Sequence, residues 1–262
     1  MDKSIIARLT GGLGNQIFVL AAAHTQASRL GTRISIDLTN YVAPQIRQFE
    51  LGHLVHSGAC QISSEHEFVF REKKEFHYDE RIDGIEDGTL LDGFFQSYKY
   101  CEESLHYFRD FLFYKSGIQL GNSLFNGIAV HVRRGDYATE TGLQYHGVCS
   151  FDYYINAVEL LRSIWGNLTV RIFSDSLQTA KELMLFIPNS EYEDSTLTPL
   201  QTLARMGQSQ ALVTSNSSFS WWAARFFLNE YGRVVVPMPW LNVTRTTPDL
   251  VPNQWFKLSR GA

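Results

Sequence analysis

Only three cysteines, Cys60, Cys101 and Cys149, occur in the 262 residues, widely spaced and without a C-x-x-C pair. A disulfide framework and a cysteine zinc site are therefore unsupported, and reduced thiols are expected. Lys and Arg are nowhere concentrated and the formal net charge is −4, so the basic face of a nucleic-acid binder is missing. No stretch approaches the roughly 20 apolar residues of a membrane span, and the run before the first glycines is too short for a signal peptide. A cytoplasmic setting is the expectation. Seven prolines and no low-complexity tract argue against long linkers. Also absent are an Asp-x-Asp pair, a P-loop, a G-x-S-x-G elbow and an H-E-x-x-H helix. Magnesium held by an Asp-x-Asp device is thus not expected.

What is present suits a packed α/β chain: 44% of residues are hydrophobic and 19% charged. Ser4–Leu9 reads as a strand, Gly11, Gly12 and Gly14 as a tight turn, Asn15–Leu30 as a helix and Arg33–Leu38 as a second strand. That is a βαβ opening. Residues 41–120 have weak periodicity, with one strand expected near Leu90–Phe95. Gly117–Asn126 reads as a boundary. Beyond it, strands at Gly127–Arg133, Leu168–Phe173, Ala211–Thr214 and Arg233–Pro237 alternate with helices at Phe151–Ile164, Leu177–Phe186, Pro199–Met206 and Ser217–Leu228. Such alternation implies parallel sheets covered by helices on both faces. Two Rossmann-like halves facing across a cleft are expected: residues 1–120, then 121–240, with 241–262 as a tail packing back on the body.

In open α/β sheets ligands bind at the carboxyl ends of the strands, and four polar clusters fall there. Gly11–Gln16 joins a strand to a helix whose first N–H groups can meet an anion, although such glycines equally serve a turn. With Asp37 beyond, the same glycines permit a nicotinamide dinucleotide reading, against which Ile17 stands where the third glycine belongs. In Ile128–Asp136, His131 and Arg133 share one strand face, and Arg133–Arg134 are followed by Gly135–Asp136. A guanidinium fork matches a phosphate. One arginine is expected on ligand and the other on Asp136; a purely structural ion pair is the alternative. Ser174–Ser176 offers Asp175 to a guanine edge or a ribose, or else caps the next helix. Ser215–Trp222 brings hydroxyls and amides to a helix start, with Phe219, Trp221 and Trp222 read as core.

GGLGNQIF at 11–18, GFFQSYKY at 93–100, HVRRGDY at 131–137, FSDS at 173–176, NSSFSWWAA at 216–224 and PDLVPNQW at 248–255 together resemble family 11 glycosyltransferases, the bacterial α-1,2-fucosyltransferases. The resemblance spans nearly the whole chain. It implies a glycosyltransferase B-type fold, a GDP-β-L-fucose donor, no cofactor or metal, and inversion onto a β-galactoside hydroxyl, in the synthesis of surface glycans or oligosaccharides. It implies no nucleic-acid partner, and a lipid-linked acceptor would allow peripheral membrane contact. Carried over by motif, Arg133 looks like the arginine on the β-phosphate, and His131 and Asp175 like guanosine contacts. Ser217, Ser218 and Phe219 look like the diphosphate-holding helix start, and Gly14 and Asn15 like the N-terminal wall. Asp136 and His146 are the nearest candidates for the base. Thr198-Pro199-Leu200 departs from the Asp-Leu that relatives often carry there, a difference expected to be structural. A nicotinamide-dependent oxidoreductase and a non-catalytic sugar- or nucleotide-binding protein are the rival readings.

Overall fold

The computed structural model describes residues 3–41, 47–114, 116–120, 124–193, 196–228 and 230–261. They group into two compact units, Met1–Ile118 with Thr247–Val251, and Gln119–Thr246 with Pro252–Ala262.

The first unit runs β1 (Ser4–Arg8), α1 (Leu13–Leu30), β2 (Arg33–Asp37), α2 (Gly52–His56), β3 (Gln61–Ile62), β4 (Phe68–Arg71), β5 (Thr89–Asp92) and α3 (Leu105–Phe113). Its sheet is parallel in the order β3-β2-β1-β5-β4. The central strand β1 is apolar without alternation because helices and loops cover both its faces. The turn before α1 needs Gly11 in the left-handed region, at φ 69°. Inside α1 the buried Gln16 side-chain amide donates to the carbonyls of Gly11 (3.1 Å) and Gln48 (2.8 Å) and accepts from the N–H of Glu50 (3.1 Å). The helix thereby anchors both the glycine turn and the loop after β2. The edge strands β3 and β4 carry no clear signal in the sequence because both are short and mostly exposed.

The second unit runs β6 (Phe125–Val132), α4 (Glu140–Tyr145), α5 (Phe151–Trp165), β7 (Thr169–Ser174), α6 (Leu177–Met184), β8 (Ser190–Tyr192), α7 (Pro199–Gly207), β9 (Ser209–Val213), α8 (Ser218–Phe227), β10 (Val234–Met238) and β11 (Phe256–Ser259). Its parallel sheet has the order β11-β10-β9-β6-β7-β8. Ile128, Val130 and Val132 of β6 pack with Tyr154, Ala157 and Leu161 of α5 and with Ile172 of β7. Each large apolar side chain so buried contributes about 1.5–3 kcal/mol. The helix starts are capped by side chains: Ser150 accepts from the N–H of Tyr153 (3.2 Å), Ser176 from that of Thr179 (3.3 Å) and Ser217 from that of Phe219 (3.3 Å). Thr198 caps α7 in a reciprocal box with Gln201, so the Thr-Pro-Leu departure serves the helix start.

The expected boundary after residue 120 abuts 121–123, which lie outside the described residues. The tail read as wrapping chain contains a strand: β11 pairs with β10, while Thr247–Val251 groups with the first unit.

Candidate active site

In the second unit, three of the predicted clusters meet at the carboxyl edge of the sheet. β6 ends at Val132, so Arg133 emerges beside the ends of β7 and β9. Its Nη1 lies 2.6 Å from Oδ2 of Asp175, its Nη2 donates to Oδ1 of Asp136, and its guanidinium sits over the Tyr137 ring, 5.6 Å from the centroid. Two carboxylates and a ring thus hold one arginine whose side chain is 20% exposed. The backbone N–H of Arg134 donates to Oδ1 of Asp175 at 2.8 Å. Gly135, at φ 28°, lets this happen: a Cβ there would stand 2.6 Å from the Asp175 carboxylate.

The division of labour between the arginines differs from a simple one-on-ligand, one-on-Asp136 arrangement. Arg133 makes the Asp136 pair itself, whereas Arg134 donates to the carbonyl of Cys149 (3.0 Å) and lies over the Phe151 ring (5.9 Å). Arg134 is a staple. Both follow the end of β6, and the Cys149 carbonyl and the Phe151 ring draw Arg134 away from the carboxylates that hold Arg133.

His131 is buried, with Nδ1 2.9 Å from Ser215 Oγ and its ring 5.6 Å from that of Phe219. Burial, with help from the Arg133 charge, pushes its pKa down to about 3. A neutral imidazole therefore links the β6 and β9 ends. Asp175, read as a guanosine contact, spends its carboxylate on Arg133 and on the Arg134 peptide, and the cap of α6 falls to Ser176. Ser217 caps α8; Ser218 and Phe219 are the more exposed residues of that helix start. Asn216, unassigned in the sequence, is buried and donates from Nδ2 to the carbonyls of His146 (2.9 Å), Gly147 (3.2 Å) and Trp240 (3.2 Å).

His146 follows α4. Its ring stacks on Tyr137 at 4.2 Å with the planes 1° apart, and Tyr145 meets it edge-on at 4.8 Å. Burial lowers its pKa below the ordinary imidazole value; Asp136 pulls the other way and Arg133 adds to the lowering. The ring is thus held neutral, able to accept a proton. Tyr137 carried no signal in the sequence beyond its place after HVRRGD.

In the first unit, Gly14 and Asn15 lie at the start of α1, beyond the carboxyl end of β1. Asn15 Oδ1 accepts from Gln96 Nε2 at 2.9 Å, joining the glycine turn to GFFQ at the end of β5. Glu72 secures that second turn, its Oε2 accepting from the N–H groups of Phe94 (3.0 Å) and Phe95 (3.1 Å). Phe95 sits at φ 52°, an uncommon conformation for a non-glycine residue. Asp37, the ribose ligand of the dinucleotide reading, is buried on Arg8 Nε (2.8 Å) and the Thr39 N–H (2.8 Å), so that reading loses its acid.

Among the described residues, no three His, Cys, Asp or Glu side chains converge as a metal-ion site, and no helix is long and apolar enough to cross a membrane.

Two parallel-sheet α/β units, with polar clusters at the carboxyl ends of their strands, define a glycosyltransferase of the B-type fold. The model of glycosyl transferase family 11 matches residues 4–256, and the chain belongs to that family. It is 26% identical to an α-1,2-colitosyltransferase of Escherichia coli, over 98% of this chain and 99% of that protein. It is 29% identical to the O-antigen biosynthesis glycosyltransferase WbnK of Escherichia coli, over 66% of this chain and 59% of WbnK. A crystal structure of the NodZ α-1,6-fucosyltransferase soaked with GDP-fucose, an enzyme known from Bradyrhizobium, shares the fold at a TM-score of 0.50. That likeness is 14% in sequence and covers 86% of this chain and 93% of NodZ.

Proposed function

We propose that the protein is an inverting α-1,2-fucosyltransferase that moves L-fucose from GDP-β-L-fucose to a galactoside hydroxyl without a metal ion. The observation that carries this is Arg133, a guanidinium braced by Asp175 at the carboxyl edge of a Rossmann-like sheet, beside the helix start at Ser217–Phe219. An always-charged fork suits the β-phosphate of a departing nucleoside diphosphate, and helix-start N–H groups suit its other oxygens.

In the reaction the acceptor oxygen forms a bond to C1 of fucose as the bond from C1 to the GDP oxygen breaks on the opposite face. The β-linkage becomes α. The transition state is oxocarbenium-like, and Arg133 neutralises the charge gathering on GDP. By analogy with the loss of one oxyanion donor, that is worth roughly 3–4 kcal/mol. The hydroxyl proton passes to Asp136 or His146, of which the neutral, stacked His146 is ready to receive it. His131 and Asp175 act here by shaping the site, and Ser217, Ser218 and Phe219 by receiving the diphosphate.

A second donor is favoured by one observation, the full-length similarity to an α-1,2-colitosyltransferase. Colitose is L-fucose lacking the 3-hydroxyl, so the same diphosphate site would serve both. Transfer assays with GDP-fucose, GDP-colitose, GDP-mannose and UDP-galactose, with and without EDTA, and with lactose as acceptor, decide the reading. GDP-fucose turnover that survives EDTA and is lost in Arg133→Ala is expected. Near-wild-type turnover in Arg133→Ala, or loss in EDTA, would refute it, and preference for GDP-colitose would reassign the donor.

A further inference from the structure

The segment that follows Arg133 is held by a residue more than a hundred positions further along the chain. Arg260 is 5% exposed; its Nη1 donates to the His146 carbonyl at 2.6 Å and its Nη2 to Oδ1 of Asn242 at 3.0 Å. Its own backbone is fixed, since its N–H donates to the Met238 carbonyl (2.8 Å) and its carbonyl accepts from the Ser150 N–H (3.0 Å). Asn242 grips the same segment: its N–H donates to the Tyr145 carbonyl (2.9 Å) and its Nδ2 to that of Leu143 (2.9 Å). With Asn216 on the carbonyls of His146 and Gly147, three separate stretches of chain satisfy the carbonyls at the end of α4. Gly147, at φ 67°, passes so close that a Cβ would stand 2.9 Å from both Nη atoms of Arg260.

The segment so gripped bears the His146 ring, which stacks on Tyr137, which in turn lies beneath the Arg133 guanidinium. Release of the His146 carbonyl would let the ring leave Tyr137 and would loosen one wall around Arg133. A fold staple alone would not require the anchor to bear on that histidine. The family model ends at residue 256, so Arg260 lies outside the matched region.

We propose that Arg260 is a positioning residue of the donor site, locking His146 and Tyr137 against Arg133 so that the arginine is preset for the diphosphate. This rests on the reading of Arg133 given above. A lysine could serve one of the two acceptors but not both in a fixed fork.

Arg260→Gln, Arg260→Lys and Asn242→Ala test it, with GDP binding by calorimetry, donor and acceptor KM, thermal unfolding, and an NMR titration of His146 identified by comparison with His146→Ala. In Arg260→Gln and Asn242→Ala, GDP affinity is expected to fall roughly 3–10-fold, with donor KM rising and acceptor KM unchanged. The His146 pKa, set by burial and by Asp136 and Arg133, should rise towards its ordinary value as the stack opens. Arg260→Lys should fall between. Should Arg260→Gln fail to fold, Asn242→Ala and Arg260→Lys carry the same readouts. Folded variants that bind GDP and titrate His146 as the wild type does would overturn the proposal. A wild-type protein that binds no GDP would overturn the donor reading together with it.

Discussion

Arg133 Nη1 and Asp175 Oδ2 lie 2.6 Å apart, and the other oxygen of the same carboxylate accepts the Arg134 N–H at 2.8 Å. One acid therefore sets both the side chain that faces the site and the peptide that follows it. Asparagine at 175 keeps an acceptor for the peptide but removes the charge that orients Arg133. Asp175→Asn is expected to lower kcat/KM by about tenfold, or ~1.4 kcal/mol, chiefly through the donor. Steady-state kinetics with donor and acceptor varied separately check this; an unchanged donor KM speaks against it.

Asp136 holds the other side of Arg133 and is the more exposed acid, its side chain 47% exposed against 25% for Asp175. Its carboxylate competes with any phosphate for the same guanidinium. Removing its charge lifts a repulsion of roughly 1 kcal/mol at a few ångströms in a wet site, so Asp136→Asn should bind GDP severalfold more tightly by calorimetry. The gain should shrink as salt is raised. Weaker binding would mean that Asp136 serves to orient Arg133.

Gly135 stands where Arg133, Asp136 and Asp175 converge, and an added Cβ would meet the Asp175 carboxylate at 2.6 Å with φ at 28°. Gly135→Ala must move Asp175 or the peptide. Activity should drop at least tenfold while the unfolding midpoint changes little, because the turn is at the surface and the core beneath is untouched. A variant as active as the wild type would show that the Asp175 contact tolerates displacement.

Much of this architecture was legible in the sequence, for a physical reason. Strands buried on both faces, such as Ile128–Val132, read as apolar runs, and side-chain caps such as Ser150 and Thr198 mark the helices between them. The HVRRGD and NSSFSWWAA motifs could be placed at neighbouring strand ends for the same reason: they follow β6 and β9. The edges were illegible. β3, β4, β8 and β11 have two to four residues each, too few for a period to register. Which arginine would pair with Asp136 and Asp175 was equally hidden, because both lie past the end of β6 and Arg134 is drawn aside by Cys149 and Phe151, distant in sequence. Arg260 and His146 are 114 positions apart, and nothing local in either announces the other.

Glu72 supplies a test of the first unit. Its carboxylate receives the Phe94 and Phe95 N–H groups, yet burial outweighs them and, with Glu75 and Asp79 adding to it, lifts its pKa from 4.5 to about 7. In the unfolded chain the group ionises near its ordinary value, while in the fold it keeps its proton to near neutrality. Between those values the native state binds more protons than the unfolded one, so its contribution to stability is full at pH 4 and lost as pH rises through about 7. The whole span is worth up to about 3 kcal/mol. Glutamine keeps an acceptor for the two N–H groups and cannot ionise. Glu72→Gln should therefore unfold at or below the wild-type temperature at pH 5 and gain on it by several degrees at pH 8. Thermal melts of both proteins at the two pH values decide it: a difference that does not change between pH 5 and pH 8 would mean that Glu72 is ionised throughout, and that the Phe94–Phe95 turn is held by an ordinary carboxylate.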